Sequence, residues 1–192
     1  MRKTAIVFTF FVIFSKTIFA IPVANITGTP TNEIINYVTN NYTQILELIP
    51  HGKENLYGFE HREMFRNCKV GNPIKVLRIH NEQEIETTNE WRVPLLINGK
   101  YITLLTVIEH DQNFNIVDMG GHLLAKLIDN LNSDNEKISF MLRDYRNKTD
   151  YVSFELNSFS DKIFYKIQKN ENESKNSIQG ISLDEIINHI NE

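Results

Sequence analysis

Apolar residues recur every three or four positions in one segment near the start of the chain, which is the spacing of an amphipathic helix. The recurring positions run from Ile34 to Ile49. Thr31 or Asn32 can cap the first turn of such a helix, and Pro50 ends it because proline cannot continue helical hydrogen bonding. The sequence therefore predicts one long N-terminal helix with an apolar face.

The stretch WRVPLLINGKYITLLTV, residues 91–107, holds two alternating apolar segments on either side of Asn98–Gly99. An Asn-Gly pair favours a two-residue type I′ turn, because both central residues then take a positive φ. A turn of this length fixes the register and predicts that Val93 faces Leu104. Pro94 has no N–H group, so the outer side of its strand is predicted to be either a sheet edge or an interrupted ladder.

Shorter segments along the rest of the chain show the same alternation or the helical spacing. They predict further strands at 74–80, 115–119, 137–143, 151–156 and 162–168, and a second, shorter helix at 122–131. The acidic stretch 81–90 is predicted to be a loop. The predicted fold class is α+β: an antiparallel sheet of five or six strands packed against one long N-terminal helix and a second shorter helix.

Residues 1–20 have the layout of a secretory signal peptide: a basic start, an apolar run, and a small residue before a cleavage position between Ala20 and Ile21. The apolar run, TAIVFTFFVIF, is short for a membrane span. We therefore expect a secreted or periplasmic protein with no membrane span after signal removal; the alternative is an uncleaved N-terminal anchor. Residues 21–168 form the predicted single α+β domain, and residues 169–192 a polar linker with a short C-terminal helix.

Composition and charge narrow the classes of function. The chain has 192 residues, of which 41% are hydrophobic and 23% charged, as in an ordinary globular domain. Signal removal takes away Arg2, Lys3 and Lys16 and no acidic residue, which lowers the formal net charge from −4 to −7. An acidic domain lacks the basic surface that nucleic acid requires, so no nucleic-acid partner is expected.

The irregular segment 51–73 is predicted to be a recognition segment. Tyr57, Phe59, Arg62 and Phe65 cluster within it, and aromatic and arginine side chains are enriched where proteins contact each other. The alternative is that the aromatic side chains cap the core beneath a long loop.

Cys68 is the only cysteine, so no disulfide can form within the chain. Its neighbours Arg66 and Lys69 would favour a thiolate, but no nucleophile motif surrounds it. A buried, unreactive thiol is the alternative.

One scattered set of residues is available for catalysis. His110 and Asp111 fall in a predicted turn and His122 at a helix start, so a hydrolase would need them to converge; the alternative is a solvated turn. No two histidines have the i, i+4 spacing of a helical metal site, and Gly120–Gly121 alone does not make a phosphate-binding loop. No catalytic residue, metal or cofactor is therefore predicted.

The stretch VPLLINGKYITLLTVIEHDQNFNIVDMGG, residues 93–121, resembles the strand–turn–strand–turn–strand core of PepSY-type and protease-propeptide-type domains. The wider W-x-V-P…G-G pattern, which begins at Trp91, is similar to that of uncharacterised secreted bacterial proteins. The resemblance implies a sheet that curls around a helix, and it implies no activity.

The favoured function is an exported, non-catalytic binding or inhibitory module whose partner is another extracytoplasmic protein. One alternative is a small secreted hydrolase that uses the two histidines and the aspartate named above. The other is a small-ligand carrier, in which Leu96, Tyr101 and Leu105 line a cavity on the second face of the sheet.

Overall fold

The computed structural model describes residues 31–80, 84–111, 113–131, 138, 140–147, 149–153, 163–167, 178–182 and 185–186. The predicted signal peptide, with its cleavage position between Ala20 and Ile21, lies outside these ranges. Within them, none of the helices has the length and apolar character that crossing a bilayer requires.

The described residues form helices and strands that alternate irregularly, as the α+β class predicts. The helices are α1 (Thr31–Glu47), two 3₁₀ helices (Glu54–Tyr57 and Arg62–Asn67) and α2 (His122–Leu131). The strands are β1 (Lys69–Val70), β2 (Ile74–His80), β3 (Glu84–Ile97), β4 (Lys100–His110), β5 (Asn113–Gly120), β6 (Phe140–Asp144), β7 (Thr149–Ser153), β8 (Ile163–Ile167) and β9 (Ile178–Ser182).

All nine strands belong to one sheet, in the order β5-β4-β3-β2-β6-β7-β8-β9, with β1 paired to β3. The pairing is antiparallel except between β2 and β6, which are parallel. The α+β class is confirmed, whereas the predicted size of five or six strands is wrong. The sheet consists of two antiparallel halves, β2–β5 and β6–β9, which meet at the parallel pair.

Most of the acidic stretch 81–90 was wrongly predicted to be a loop; its residues 84–90 extend β3, and residues 81–83 lie outside the described residues. Residues from Glu84 onward belong to β3 and pair with β2. In this part of β3, Ile85 is buried while Glu86 is exposed. The polar side chains suit an exposed surface, and the strand forms because its backbone groups find partners on β2.

The Asn98–Gly99 hairpin forms as predicted, with a positive φ of 53° at Asn98 and 81° at Gly99. The predicted register holds only next to the turn. Between Leu95 and Leu96 it shifts by one residue, so that Val93 pairs with Leu105 and not with Leu104. The pairing of Val93 with Leu104 was therefore wrong, because a one-residue bulge on β4 exchanges the two faces of that strand.

Pro94 lies at an interrupted ladder, one of the two arrangements predicted for it. On its outer side β1 pairs with β3 at Leu95 and Leu96, and β2 pairs with β3 from Arg92 backwards. In the gap between them, the Gly71 N–H group donates to the Pro94 carbonyl at 2.8 Å.

The buried apolar side chains form three clusters, and α1 and α2 contribute to different ones. The first cluster contains Ile34, Val38 and Leu46 of α1, Phe59, Phe65, and Trp91, Val93 and Leu95 of β3. The second contains Leu124, Ala125, Leu127 and Ile128 of α2 with Ile74, Tyr101, Leu104, Met141 and Val152. Because successive residues of a strand point to opposite faces, the two clusters lie on opposite sides of the sheet. A third cluster contains Leu77, Ile85, Phe140, Leu142, Tyr151, Phe164, Ile181 and Ile186.

The C-terminal region contains a strand where the sequence predicted a polar linker. Residues 178–182 form β9 and pair with β8, with Phe164 opposite Ile181 in the third cluster. Ser182 and Glu185 form a capping box: the Ser182 N–H group donates to the Glu185 carboxylate at 2.8 Å, and the Glu185 N–H group donates to the Ser182 hydroxyl at 3.3 Å.

Candidate functional site

A cleft of about 270 Å³ opens between the last turns of α1 and the second 3₁₀ helix. Its lining consists of Thr43, Glu47, Arg62, Glu63, Phe65 and Arg66. Four of these residues belong to the segment 51–73, which the sequence predicts to be a recognition segment. The structure therefore places a concave surface within that segment.

Arg62 holds the two walls of the cleft together. Its Nη1 donates to the Ile49 carbonyl and its Nη2 donates to the Glu47 carbonyl, each at 2.7 Å. These carbonyls lie at the C-terminal end of α1, where backbone oxygens lack partners within the helix and carry partial negative charge. The guanidinium group thus caps the helix and anchors the 3₁₀ helix to it.

Glu54 completes this arrangement from the first 3₁₀ helix. Its carboxylate lies 3.4 Å from Nη1 of Arg62. A hydrogen bond from its own backbone N–H group lowers the pKa of Glu54, burial opposes that effect, and Arg62 lowers the pKa further. The carboxylate is therefore ionised at neutral pH, and one arginine ties three consecutive segments together.

The two phenylalanines of the predicted recognition segment face the core. Phe59 is 1% exposed and Phe65 is 3% exposed, and their rings meet edge to face with centroids 4.9 Å apart. Their burial favours the alternative in which aromatic side chains cap the core. Tyr57 is only partly buried against the same cluster, and Arg62 is partly exposed, so a binding role for these two residues stays a prediction.

Cys68 is a buried thiol. Its side chain belongs to the first cluster, and Sγ lies 3.7 Å from the Met64 carbonyl. Burial raises the pKa of Cys68 to about 11, so the thiol stays protonated at neutral pH. The neighbouring Arg66 and Lys69 do not produce a thiolate, because both are exposed while the sulfur is not.

The structure does not bring the three hydrolase candidates together. His110 and Asp111 form an exposed pair, with 2.9 Å between Nδ1 and the carboxylate, in the turn between β4 and β5. His122 follows the other end of β5, and a strand of this length spans about 23 Å. No group of three or more potential metal ligands occurs among the described residues.

The residues expected to line the cavity of a small-ligand carrier lie in two different clusters. Tyr101 packs in the second cluster, and its backbone N–H group donates to the Asp129 carboxylate of α2 at 3.1 Å. Leu105 is fully buried in the first cluster, on the opposite side of the sheet. The second face is therefore occupied by α2 at Tyr101.

A network of partly buried charges, which the sequence analysis missed, crosses the middle of the sheet. The Glu90 carboxylate lies 3.3 Å from Nε of Arg92 and 3.4 Å from Nη1 of Arg143. Nε of Arg143 also donates to the Asp150 carboxylate at 2.8 Å, and Arg92 donates to the Thr106 hydroxyl. The network connects β3, in one half of the sheet, to β6 and β7 in the other.

On the opposite face, Lys75 of β2 pairs with Trp91 of β3 across the antiparallel ladder. Nζ of Lys75 lies 3.5 Å from the centroid of the Trp91 ring. Burial lowers the pKa of Lys75 to about 8, and the negative charge of Glu109 opposes the shift. No motif indicated this pair, since it depends on strand register.

No family model, curated protein or solved structure matches this chain. The resemblance of residues 93–121 to PepSY-type domains therefore stays a prediction.

Proposed function

We propose that this chain acts outside the cytoplasm as a non-catalytic binding or inhibitory module, and that the cleft beside α1 belongs to its contact surface. The partner is another extracytoplasmic protein. The observation that carries the proposal is the cleft itself, which combines a concave shape, a rigid arginine anchor and nearby exposed leucines.

Two large apolar side chains are exposed on the segments that Arg62 joins. Leu48, which lies between the two residues whose carbonyls Arg62 binds, is 72% exposed. Leu56, in the first 3₁₀ helix, is 60% exposed. Exposed apolar side chains that are surrounded by charged side chains suit a protein interface, which has an apolar centre and a polar rim.

The charged side chains around the cleft include both acidic and basic residues. Glu47, Glu63 and Arg66 are exposed around the cleft. Mixed charges favour a protein surface of complementary pattern over a uniformly charged polymer or lipid, because charge pattern selects partners.

The experiment is affinity capture of the full chain, with a tag at its C-terminus, from the extracytoplasmic fraction of its native source. A double variant, Leu48→Ser with Leu56→Ser, removes the two exposed apolar groups from the segments that Arg62 joins. Val117→Ser is the matched control, because Val117 is 55% exposed on β5 and does not line the cleft.

We expect a protein partner that is retained at high salt by the native chain and by the control, and is lost from the double variant. Circular dichroism of the variants checks that the fold is kept. A partner that binds the double variant as well as the native chain would place the interface elsewhere. Capture of nothing above an untagged control would count against a binding module.

A further inference from the structure

One turn of the sheet carries an acceptor pattern for N-linked glycans that the proposed contact surface does not use. Asn147 and Thr149 are the first and third residues of an Asn-x-Thr sequence between β6 and β7. The chain has four Asn-x-Ser/Thr patterns, and those that begin at Asn25 and Asn172 lie outside the described residues. Because a glycan is bulky and hydrophilic, a usable pattern must lie on the surface of the folded protein. This requirement separates Asn147 from Asn41, the first residue of the other described pattern.

The turn that contains Asn147 is exposed and is held by a buried aspartate. Tyr145, Arg146 and Asn147 are all exposed. The carboxylate of Asp144, which is 2% exposed, accepts hydrogen bonds from the backbone N–H groups of Arg146 at 2.9 Å and Asn147 at 3.1 Å. The aspartate thus fixes the backbone of the turn and leaves the three side chains that follow it in solvent.

The side-chain amide of Asn147 has room for a substituent. Its Nδ2 donates to the Asp144 carboxylate at 2.8 Å, and no second acceptor of this nitrogen is found among the described residues. An amide nitrogen carries two hydrogens, and a glycan replaces one of them. The other can continue to donate to Asp144. The Thr149 hydroxyl, which the acceptor pattern requires, lies beside the same residue and donates to the Asn147 carbonyl at 3.2 Å.

The surroundings of Asn41 are the opposite. Asn41 lies within α1, three residues after Val38 and four before Ile45, so it shares the helix face that packs against the first cluster. It is partly buried, and its Nδ2 donates to the Tyr37 carbonyl at 2.7 Å. A glycan at this position would separate α1 from the core, so we expect Asn41 to stay unmodified.

We propose that Asn147 is a site of N-linked glycosylation, with an oligosaccharide linked to a lipid pyrophosphate as the donor. Nδ2 of Asn147 attacks the anomeric carbon of the sugar and a C–N bond forms. The bond from that carbon to the pyrophosphate oxygen breaks, the lipid pyrophosphate leaves, and one proton of Nδ2 passes to a base of the transferase.

The turn and the proposed contact surface lie on different parts of the sheet. The segment 51–73 leads into the first residue of β2, whereas the turn follows the last residue of β6, which runs parallel to β2. The turn therefore lies at the end of this strand pair opposite to the segment 51–73. The modification shares with the proposed function only the export of the chain.

The test isolates the full chain from the extracytoplasmic fraction of its native source and determines the masses of its peptides before and after treatment with a peptide N-glycosidase in water enriched in heavy oxygen. The enzyme converts a glycosylated asparagine to an aspartate that carries one heavy oxygen atom. We expect this label at position 147 and none at position 41, and a sample without enzyme corrects for spontaneous deamidation. A peptide that contains Asn147 and already has its unmodified mass before treatment would overturn the proposal.

Two variants made in the native source form a matched pair. Thr149→Ser keeps the acceptor pattern and should keep the glycan, whereas Thr149→Val keeps the size of the side chain, removes the hydroxyl and should lose the glycan. A glycan that persists at Asn147 in Thr149→Val would contradict the proposed mode of modification. The native chain alone gives the decisive masses, so the test does not depend on the folding of either variant.

The outcomes also separate this proposal from the proposed function. An exported chain that retains a protein partner but has an unmodified Asn147 would overturn the glycosylation site alone. A glycosylated chain that retains no partner would count against the binding module alone. Absence of the chain from the extracytoplasmic fraction would overturn both.

Discussion

Lys75 and Arg143 are both positively charged side chains in the interior of one sheet, on opposite faces, but their charges are compensated differently. Burial alone would lower the pKa of Arg143; its hydrogen bond to Asp150 and the nearby Glu90 outweigh burial, so the pKa is raised. Lys75 has the face of Trp91 and only the more distant attraction of Glu109, and its pKa falls to about 8. The carboxylates in contact with Arg143 outweigh the effect of burial on its pKa, whereas burial prevails at Lys75, which has no carboxylate within ion-pair distance among the described residues.

The largest expected effect comes from removing Arg143, which has two carboxylate partners. Arg143→Met leaves Asp150 and Glu90 partly buried without it, and we expect a loss of about 3 kcal/mol in the free energy of unfolding. Urea denaturation measures the loss. Arg78→Met is the control, because Arg78 is exposed on the adjacent strand and should change stability by less than about 0.5 kcal/mol. Equal losses in the two variants would show that the network does not stabilise the sheet.

A third positively charged side chain, Arg62, extends the comparison, because its partners are mainly backbone carbonyls. Arg62→Met removes the hydrogen bonds to Glu47 and Ile49 at the end of α1, and we expect a loss of about 2 kcal/mol. Thermal unfolding measures it. Arg66→Met, on the same 3₁₀ helix and exposed, should lie within about 0.5 kcal/mol of the native chain. A result for Arg62→Met as small as that of the control would contradict its anchoring role.

Replacing Lys75 is expected to change the free energy of unfolding in the opposite direction. Lys75→Met replaces a poorly solvated charge with an apolar chain of similar length, and should stabilise the protein at pH 7 by about 1–2 kcal/mol, since the ring offsets part of the desolvation cost. The folded-state pKa lies below the unfolded value, so the unfolded chain binds more protons between pH 8 and pH 10.5. The native chain therefore gains stability relative to the variant across this interval.

Denaturation of both proteins at several pH values measures this difference. Burial also raises the pKa of Cys68, which makes stability fall with pH in the range just above 9. That contribution is present in both proteins and cancels in the difference. A variant less stable than the native chain at pH 7 would show that the contact with Trp91 outweighs the cost of burial.

The smallest effect concerns the negative charge of Glu109, which raises the pKa of Lys75. Glu109→Gln removes an attraction that raises the pKa of Lys75, so the pKa should fall further below its usual range. Trp91 is the only tryptophan, so its fluorescence reports the titration directly. We expect a midpoint near pH 8 in the native chain, a lower one in Glu109→Gln and none in Lys75→Met. A transition that persists in Lys75→Met would belong to another group.

Local patterns predicted the elements that depend on local sequence. The helical spacing of Ile34 to Ile49 and the Asn98–Gly99 turn both appear in the structure, because each depends on residues close together in the chain. The bulge on β4 carried no such signal: its unpaired residue, Ile102, is a β-branched residue that suits a regular strand equally well.

The candidate sites also differ in whether they depend on residues close together in the sequence or far apart. Four of the six residues that line the cleft lie in the segment 51–73, where aromatic and charged residues are adjacent in the sequence. The link from Glu90 to Arg143 joins residues 53 positions apart, which no periodicity reveals. The contact of Lys75 with Trp91 depends on a second irregularity, the register shift between Lys75 and Leu77.

The parallel pair of β2 and β6 has a consequence for how the chain folds. Each half of the sheet is built from hairpins whose strands are neighbours in sequence, and such hairpins close short loops at low entropic cost. The parallel pair aligns Lys75 with Phe140, so a long loop must close before its hydrogen bonds form. We therefore expect the two halves to form first and the seam between them last, and the amides along that seam to exchange with solvent without unfolding of either half.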